Sequence, residues 1–269
     1  MDHHIKEYFK ESSVKETQPG TFHQVIHLRE DSHLSWQEAQ KICPDLPRGW
    51  YELSKLTLQD RIEFCRDFWI SRFPFHPDLA PLLTKFFSSL DDLCIFLVQK
   101  TFDSPVKPKL IYSLKGDTGF FQGDPPANDY LLSMLQSDFS GVLFPQDYLA
   151  FLSIHNGFGK LDDTGILKIQ DLKKTYETFT ERLESREPLF LEEGIALNPK
   201  HLYPFYESFG TRCYQCFLED WYPEQEMGNV YYSEMTKSLS PIKSQFAAAE
   251  IQAFPTFGDW LFFYLERIA

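Results

Sequence analysis

Cysteine is scarce in this chain. The 269 residues include five cysteines, at positions 43, 65, 94, 213 and 216. A fold held together by disulfides needs an even set of cysteines, so this count argues against a disulfide framework. We therefore expect free thiols and a reducing compartment, which favours the cytoplasm.

Long hydrophobic runs are also missing. No stretch reaches the roughly 18 consecutive apolar residues of a membrane-spanning helix. The first residues, Met1–Glu7, contain acidic side chains and lack the basic-then-apolar order of a signal peptide. We expect neither a targeting segment nor membrane association.

Basic side chains are outnumbered. The chain has 26 Lys+Arg against 39 Asp+Glu, a formal net charge of −13. Residues 128–269 account for most of the excess, with 11 basic and 21 acidic side chains. A field of this sign repels phosphate backbones and attracts basic proteins. The composition disfavours nucleic-acid binding and predicts that any partner is another protein of basic character.

Familiar catalytic motifs are absent as well. The sequence has no Gly-x-Ser-x-Gly elbow, no His-Glu-x-x-His and no glycine-rich phosphate loop. We therefore assign no catalytic, cofactor-binding or metal-binding residue, and we expect no cofactor and no enzymatic activity.

A few residues could still carry chemistry, and each has a simpler interpretation. Cys213 and Cys216 lie in a β-prone run, where positions three apart point to opposite faces, so we interpret them as structural thiols. His23 and His27 share a strand face about 13 Å apart, too far for one metal ion. His155 stands at a helix C-terminus, where a cation is favourable without catalysis.

Aromatic residues are abundant, with 26 Phe, 13 Tyr and 5 Trp. The pattern of residues 1–127 predicts a mainly helical region. Thr57 precedes an apolar stripe from Leu58 to Trp69 with helical spacing. Ser89 is expected to begin another helix that runs towards Lys100. Residues 109–121 predict a short hairpin. The Gly123–Pro126 stretch is the best candidate for a domain boundary.

Residues 128–269 mix helices and strands. Asn128 and Pro145 are expected to begin helices, the second one ending at the Asn156-Gly157 pair. Residues 211–218 and 228–233 predict two strands, and Thr256 is expected to cap a last helix.

An acidic and aromatic segment connects those two strands. Aromatic side chains anchor interfaces, and acidic ones steer basic partners towards them. The alternative is a solvated loop whose aromatics fold back onto the core. The candidate partner-binding residues are Glu219, Asp220, Trp221, Tyr222, Glu224 and Glu226.

The second half resembles a known family. Leu143–Tyr148 gives an apolar residue, a proline, an acid and an aromatic, and the helix that follows leads to His155–Phe158 with its Asn-Gly pair. This order resembles the SUKH superfamily (the Smi/Knr-type domain) over about residues 128–268. Later pieces, Leu202–Phe205 and Phe254–Leu265, follow in the order typical of that family.

The resemblance implies an α+β fold with a mostly antiparallel sheet flanked by helices and without enzymatic activity. Many bacterial relatives are immunity proteins that neutralise toxins, and others are regulatory or scaffold proteins. On this interpretation the pattern residues are structural: Pro145, Asp147, Tyr148, Asn156 and Gly157.

Our hypothesis is therefore a mainly helical N-terminal region, residues 1–127, followed by a SUKH-like protein-binding domain, residues 128–269, that neutralises a basic toxin or effector. A regulatory scaffold or adaptor is the alternative. A hydrolase that uses carboxylates or the histidines at positions 23 and 27 is the least favoured.

Overall fold

The computed structural model describes residues 1–11, 21–30, 33–190, 196–219, 221, 227–240 and 253–267. The chain divides into two units. Unit 1 comprises Met1–Pro126, Phe158–Leu161 and Glu266–Ala269, and unit 2 comprises Ala127–Gly157 and Asp162–Leu265. The division follows the chain near residue 127 except for two short stretches.

Unit 1 combines helices with an antiparallel sheet. Its helices are α1 (His3–Tyr8), α2 (Trp36–Ile42), α3 (Arg48–Leu53), α4 (Leu58–Arg72) and α5 (Leu79–Ser88). Its strands are β1 (Lys10–Glu11), β2 (Thr21–Phe22), β3 (Gln24–His27), β4 (Leu90–Gln99), β5 (Lys107–Leu114), β6 (Phe120–Gly123) and β7 (Phe158–Lys160). Strands β3 to β7 pair in the order β7-β6-β5-β4-β3, each pair antiparallel.

Several local expectations for unit 1 are confirmed. Thr57 caps α4, because its Oγ1 accepts a hydrogen bond from the backbone N–H of Asp60 at 3.3 Å. The hairpin is formed by β5 and β6. These features depend on residues close in sequence, which is why the pattern reveals them.

The helix expected after Ser89 is wrong. Leu90–Gln99 is strand β4, which pairs with β3 on one side and β5 on the other. Its residues are buried almost without interruption, so the apolar run does not alternate as it would in a half-buried strand. The positions of Leu93, Phe96 and Leu97 matched a helical spacing by coincidence, since a short apolar run fits a buried strand equally well.

A buried ion pair fixes α4 against β4. Arg61 is 1% exposed, and its guanidinium donates to Asp92 Oδ1 at 2.8 Å, to the carbonyl of Leu93 at 2.6 Å and to the carbonyl of Leu56 at 2.8 Å. Nearby, the indole N–H of Trp69 donates to the hydroxyl of Tyr112 at 3.2 Å. These buried polar side chains therefore have hydrogen-bond partners.

Unit 2 contains helices and antiparallel sheet strands. Its helices are α6 (Asp129–Asp138), α7 (Gln146–Leu152), α8 (Ile169–Glu184) and α9 (Phe257–Arg267), the last belonging to the unit up to Leu265. Its strands are β8 (Gly165–Ile166), β9 (Leu202–Glu207), β10 (Cys213–Leu218), β11 (Gly228–Ser233) and β12 (Ser238–Leu239). They pair in the order β12-β11-β10-β9-β8. The strands predicted at 211–218 and 228–233 are confirmed as β10 and β11.

Helices cover both faces of the unit 2 sheet. On one face, Phe179 of α8 packs against Tyr214, with ring centroids 5.1 Å apart. On the other, Phe217 lies 5.0 Å from Tyr148 of α7 and 6.4 Å from Phe257 of α9. The predicted fold class, α+β with a mostly antiparallel sheet flanked by helices, is confirmed.

Candidate functional site

The acidic and aromatic segment lies where β10 ends and β11 begins. Leu218 pairs with Gly228, so the strand residues on either side of the segment lie next to each other. Two of the candidate partner-binding residues, Glu219 and Trp221, are described by the structure. The other four lie outside the described residues: Asp220, Tyr222, Glu224 and Glu226.

Glu219 is an exposed carboxylate held in a defined position. Its backbone N–H donates to the carbonyl of His201 at 3.0 Å, and its Oε2 accepts from the hydroxyl of Tyr203 at 3.0 Å. Tyr203 is itself fixed by stacking on Tyr176, with ring centroids 5.3 Å apart and an interplanar angle of 10°. The first acid of the segment is therefore ordered before any partner arrives.

Trp221 turns inward instead. Its side chain is 8% exposed and belongs to a buried cluster with Leu218 and Val230. The indole lies so close to Gly228 that a Cβ added there would overlap the ring, and the backbone N–H of Trp221 donates to the carbonyl of Leu218 at 3.2 Å. Trp221 thus folds back onto the core and anchors the segment, whereas Glu219 faces solvent.

Among the pattern residues, Asp147 joins two helices. Pro145 is the N-cap of α7, and the Asp147 carboxylate accepts from the backbone N–H of Tyr148 at 2.9 Å and from that of Gly258 at 2.8 Å. Gly258 lies in the first turn of α9, so one side chain serves the amino ends of both helices. Burial raises the pKa of Asp147, against the opposing effect of these hydrogen bonds.

Tyr148 is a core residue. It is fully buried, with its ring 5.9 Å from Phe205 and 5.3 Å from Phe257 between centroids. Burial raises the pKa of its phenol well above the usual value. Among the described residues, its hydroxyl has no hydrogen-bond partner, so Tyr148 contributes through the packing of its ring.

The Asn156 side chain caps the start of α8, 13 residues later in the sequence. Its Oδ1 accepts from the backbone N–H of Ile169 at 2.9 Å, and its Nδ2 donates to Gln170 Oε1 at 2.9 Å. The N-cap residue of α8, Lys168, supplies no side-chain cap, so Asn156 takes that role. Helix α7 ends at Leu152, before the expected exit, and Gly157 adopts a φ of 112° in the turn beyond it.

Asn156→Ala is expected to lower the free energy of unfolding by about 1–2 kcal/mol, because it removes the cap of a buried helix start. Urea denaturation measures this. The matched control is Asn198→Ala, which removes the exposed side chain that accepts from the backbone N–H of Lys200 at 3.1 Å and should change stability by less than about 0.5 kcal/mol. Equal losses in the two variants would contradict the role given to Asn156.

The residues considered for catalysis or metal binding are dispersed. Cys216 lies in the buried cluster of Tyr214, and burial raises its pKa well above the ordinary thiol value, whereas Cys213 lies 3.9 Å from the hydroxyl of Ser233. His27 stacks on Phe96 at 4.7 Å between centroids. Cys213 and Cys216 are both buried in β10, and their interpretation as structural thiols stays a prediction.

The other two histidines considered above, His23 and His155, also have structural surroundings. His23 contacts Phe102 edge-on, with ring centroids 5.2 Å apart, and His155 is buried with its ring 6.2 Å from that of Phe151.

In the part of the chain that the structure describes, no helix is long and apolar enough to cross a membrane.

The caps, the buried aromatic core and the strand order are all found within residues that a family model recognises. The model of the SMI1 / KNR4 family (SUKH-1) matches residues 126–262, half of the chain. The chain belongs to the SMI1 / KNR4 family. The resemblance proposed from the sequence is thereby confirmed, and the matched SUKH-1 domain includes Asp147, Tyr148, Asn156 and the segment 219–226.

The SUKH-1 match indicates a general class of function. Domains of this family often act as immunity proteins and are typically not enzymes. No curated protein and no solved structure matches this chain. Residues 1–125 lie outside the SUKH-1 match.

Proposed function

We propose that the SUKH-1 domain binds another protein without catalysing a reaction, and that it neutralises a basic toxin or effector. The observation that carries this proposal is the ordered, exposed carboxylate of Glu219, held by Tyr203 and followed by an anchored Trp221. All five cysteines are free thiols, which supports action in the cytoplasm.

Charge supports the choice of a basic partner. Residues 128–269 carry 21 acidic and 11 basic side chains, and four of the acids fall in the segment 219–226. Complementary charge raises association rates and disfavours partners of the same sign. A toxin domain that binds nucleic acid is typically basic, so an acidic domain is suited to cover it.

The order already present at Glu219 and Trp221 supports segment 219–226 as the binding surface. Binding costs free energy when loops and side chains must be ordered at the interface. Glu219 is already fixed by two hydrogen bonds, and Trp221 holds the chain two residues later against Gly228. The start of the segment therefore needs little further ordering when a partner binds.

The test neutralises the segment and compares it with an equal change elsewhere. The variant carries Glu219→Gln, Asp220→Asn, Glu224→Gln and Glu226→Gln. The control variant neutralises one Asp and three Glu that are exposed on or just after α8, with the same change in net charge: Asp171→Asn, Glu177→Gln, Glu181→Gln and Glu187→Gln. Any difference between the two variants then reports position rather than total charge.

Each form is used to capture proteins from a lysate of its own cells at about 0.05 M and about 0.5 M salt, and the affinity for the purified partner is then measured by calorimetry. We expect the native chain and the control to retain a salt-sensitive basic partner, with at least about tenfold weaker binding by the segment variant. Equal affinity in all three forms would reject the segment as the binding surface.

A regulatory scaffold or adaptor is the second candidate, and unit 1 is the observation that favours it. Met1–Pro126 forms most of one of the two units and lies almost entirely outside the SUKH-1 match. A scaffold should hold a second partner that the four segment substitutions leave bound. Capture of a single partner, lost in the segment variant, would favour the inhibitor instead.

A further inference from the structure

Three side chains of the types that can bind metal ions lie together at the start of α1. One ligand atom from each of Asp2, His3 and His4 lies within 4.8 Å of the other two. Asp2 Oδ1 is 2.8 Å from His4 Nδ1, and the two imidazole rings are 3.9 Å apart between centroids. Ligands that each lie about 2.0–2.2 Å from one zinc ion are separated by roughly 3–4 Å, so small side-chain rotations bring these atoms to that spacing.

A second part of the chain holds this cluster in place. Asp117, in the turn between β5 and β6, has its Oδ1 3.2 Å from His3 Nδ1, and the same carboxylate accepts from the backbone N–H of His3 at 3.1 Å. In return, the buried Asp2 carboxylate accepts from the backbone N–H of Gly119 at 2.8 Å and from that of His4 at 2.7 Å. Contacts in both directions therefore order the cluster.

The exposure of these residues also suits a metal site. Asp2 is completely buried, whereas the side chains of His3 and His4 are 56% and 39% exposed. An ion can thus reach the imidazoles from solvent while the carboxylate stays fixed. The His3 ring has the Asp117 carboxylate at its Nδ1, the arrangement that orients histidines in metal sites.

We propose that Asp2, His3 and His4 bind a zinc ion, with Asp117 as a positioning residue for the His3 ring. Two imidazole nitrogens and a carboxylate oxygen suit zinc, whereas magnesium and calcium prefer oxygen ligands alone. Zinc binds neutral imidazole and ionised carboxylate. The ion would lie at the start of α1 in unit 1, at a site separate from the partner-binding surface of the SUKH-1 domain.

The experiment titrates zinc chloride into the full chain, prepared without a polyhistidine tag, by calorimetry. The double variant His3→Ala, His4→Ala is compared with the matched control His23→Ala, His33→Ala, which also removes two exposed histidines. We expect one zinc ion per native or control chain, and at least 100-fold weaker binding in the His3/His4 variant. Asp117→Asn is expected to weaken binding about tenfold, and millimolar magnesium should leave the titration unchanged.

Thermal unfolding supplies a second readout. Zinc should raise the melting temperature of the native and control chains and leave that of the His3/His4 variant unchanged, because a ligand stabilises only the form that binds it. Each variant is compared with its own melting temperature without zinc, which separates the loss of the contacts to Asp2 and Asp117 from the effect of zinc. Native-like zinc affinity in the His3/His4 variant, or an equal loss in the control, would overturn the proposal.

Discussion

Replacing Arg61 with methionine is expected to lower the free energy of unfolding by about 3–5 kcal/mol, the largest effect that we predict. Methionine fills much of the same space but cannot replace the hydrogen bonds to Asp92, Leu93 and Leu56. Asp92 is itself 8% exposed, so its charge would remain in the interior without a counter-ion. Urea denaturation measures the loss.

The control is a lysine–aspartate ion pair at the surface. Lys107 and Asp45 form a salt bridge in which both side chains are half-exposed, and Lys107→Met should cost no more than about 1 kcal/mol. Adding Asp92→Leu to the Arg61 variant should recover part of the loss, because the unpaired charge is then removed as well. Similar losses for Arg61→Met and Lys107→Met would show that burial of the pair contributes nothing.

Features that depend on neighbouring residues were predictable from the sequence. Thr57, Asn128 and Thr256 each accept a hydrogen bond from a backbone N–H three residues later, and each begins a helix as expected. Strand β4 was missed because its environment depends on β3 and β5, which cover both of its edges. A run buried throughout loses the alternation that identifies a strand.

The candidate site shows the same limit. The family pattern indicated that Asp147 and Asn156 were structural, but not that they serve the amino ends of α9 and α8. Asp147 reaches Gly258 across 111 positions of sequence, and His3 reaches Asp117 across 114. No local pattern contains such pairs, because they arise only when the sheets and helices assemble. The acidity of segment 219–226 was evident from composition, whereas the inward turn of Trp221 depends on space left by a glycine on the facing strand.

Gly228→Ala is the second large effect that we predict. The new Cβ would overlap the indole of Trp221, and a strand residue between Met227 and Asn229 has no freedom to move away, because β11 is paired with β10 along its whole length. The ring must leave the buried cluster or the strand must distort, at a cost of about 3 kcal/mol, the upper end of typical overpacking effects. Urea denaturation measures the loss, and partner binding should weaken with it, since Trp221 anchors the start of the acidic segment.

Gly49→Ala is the matched control, since it adds the same methyl group inside α3 where no atom lies within 4 Å. Alanine favours a helix over glycine by about 1 kcal/mol, so this variant should be slightly more stable than the native chain. The two substitutions thus have opposite expected signs for a physical reason, free space in one case and an indole ring in the other. A Gly228→Ala chain as stable as the native protein would mean that Trp221 does not pack on that strand, and the anchoring role that supports the proposed binding surface would fail with it.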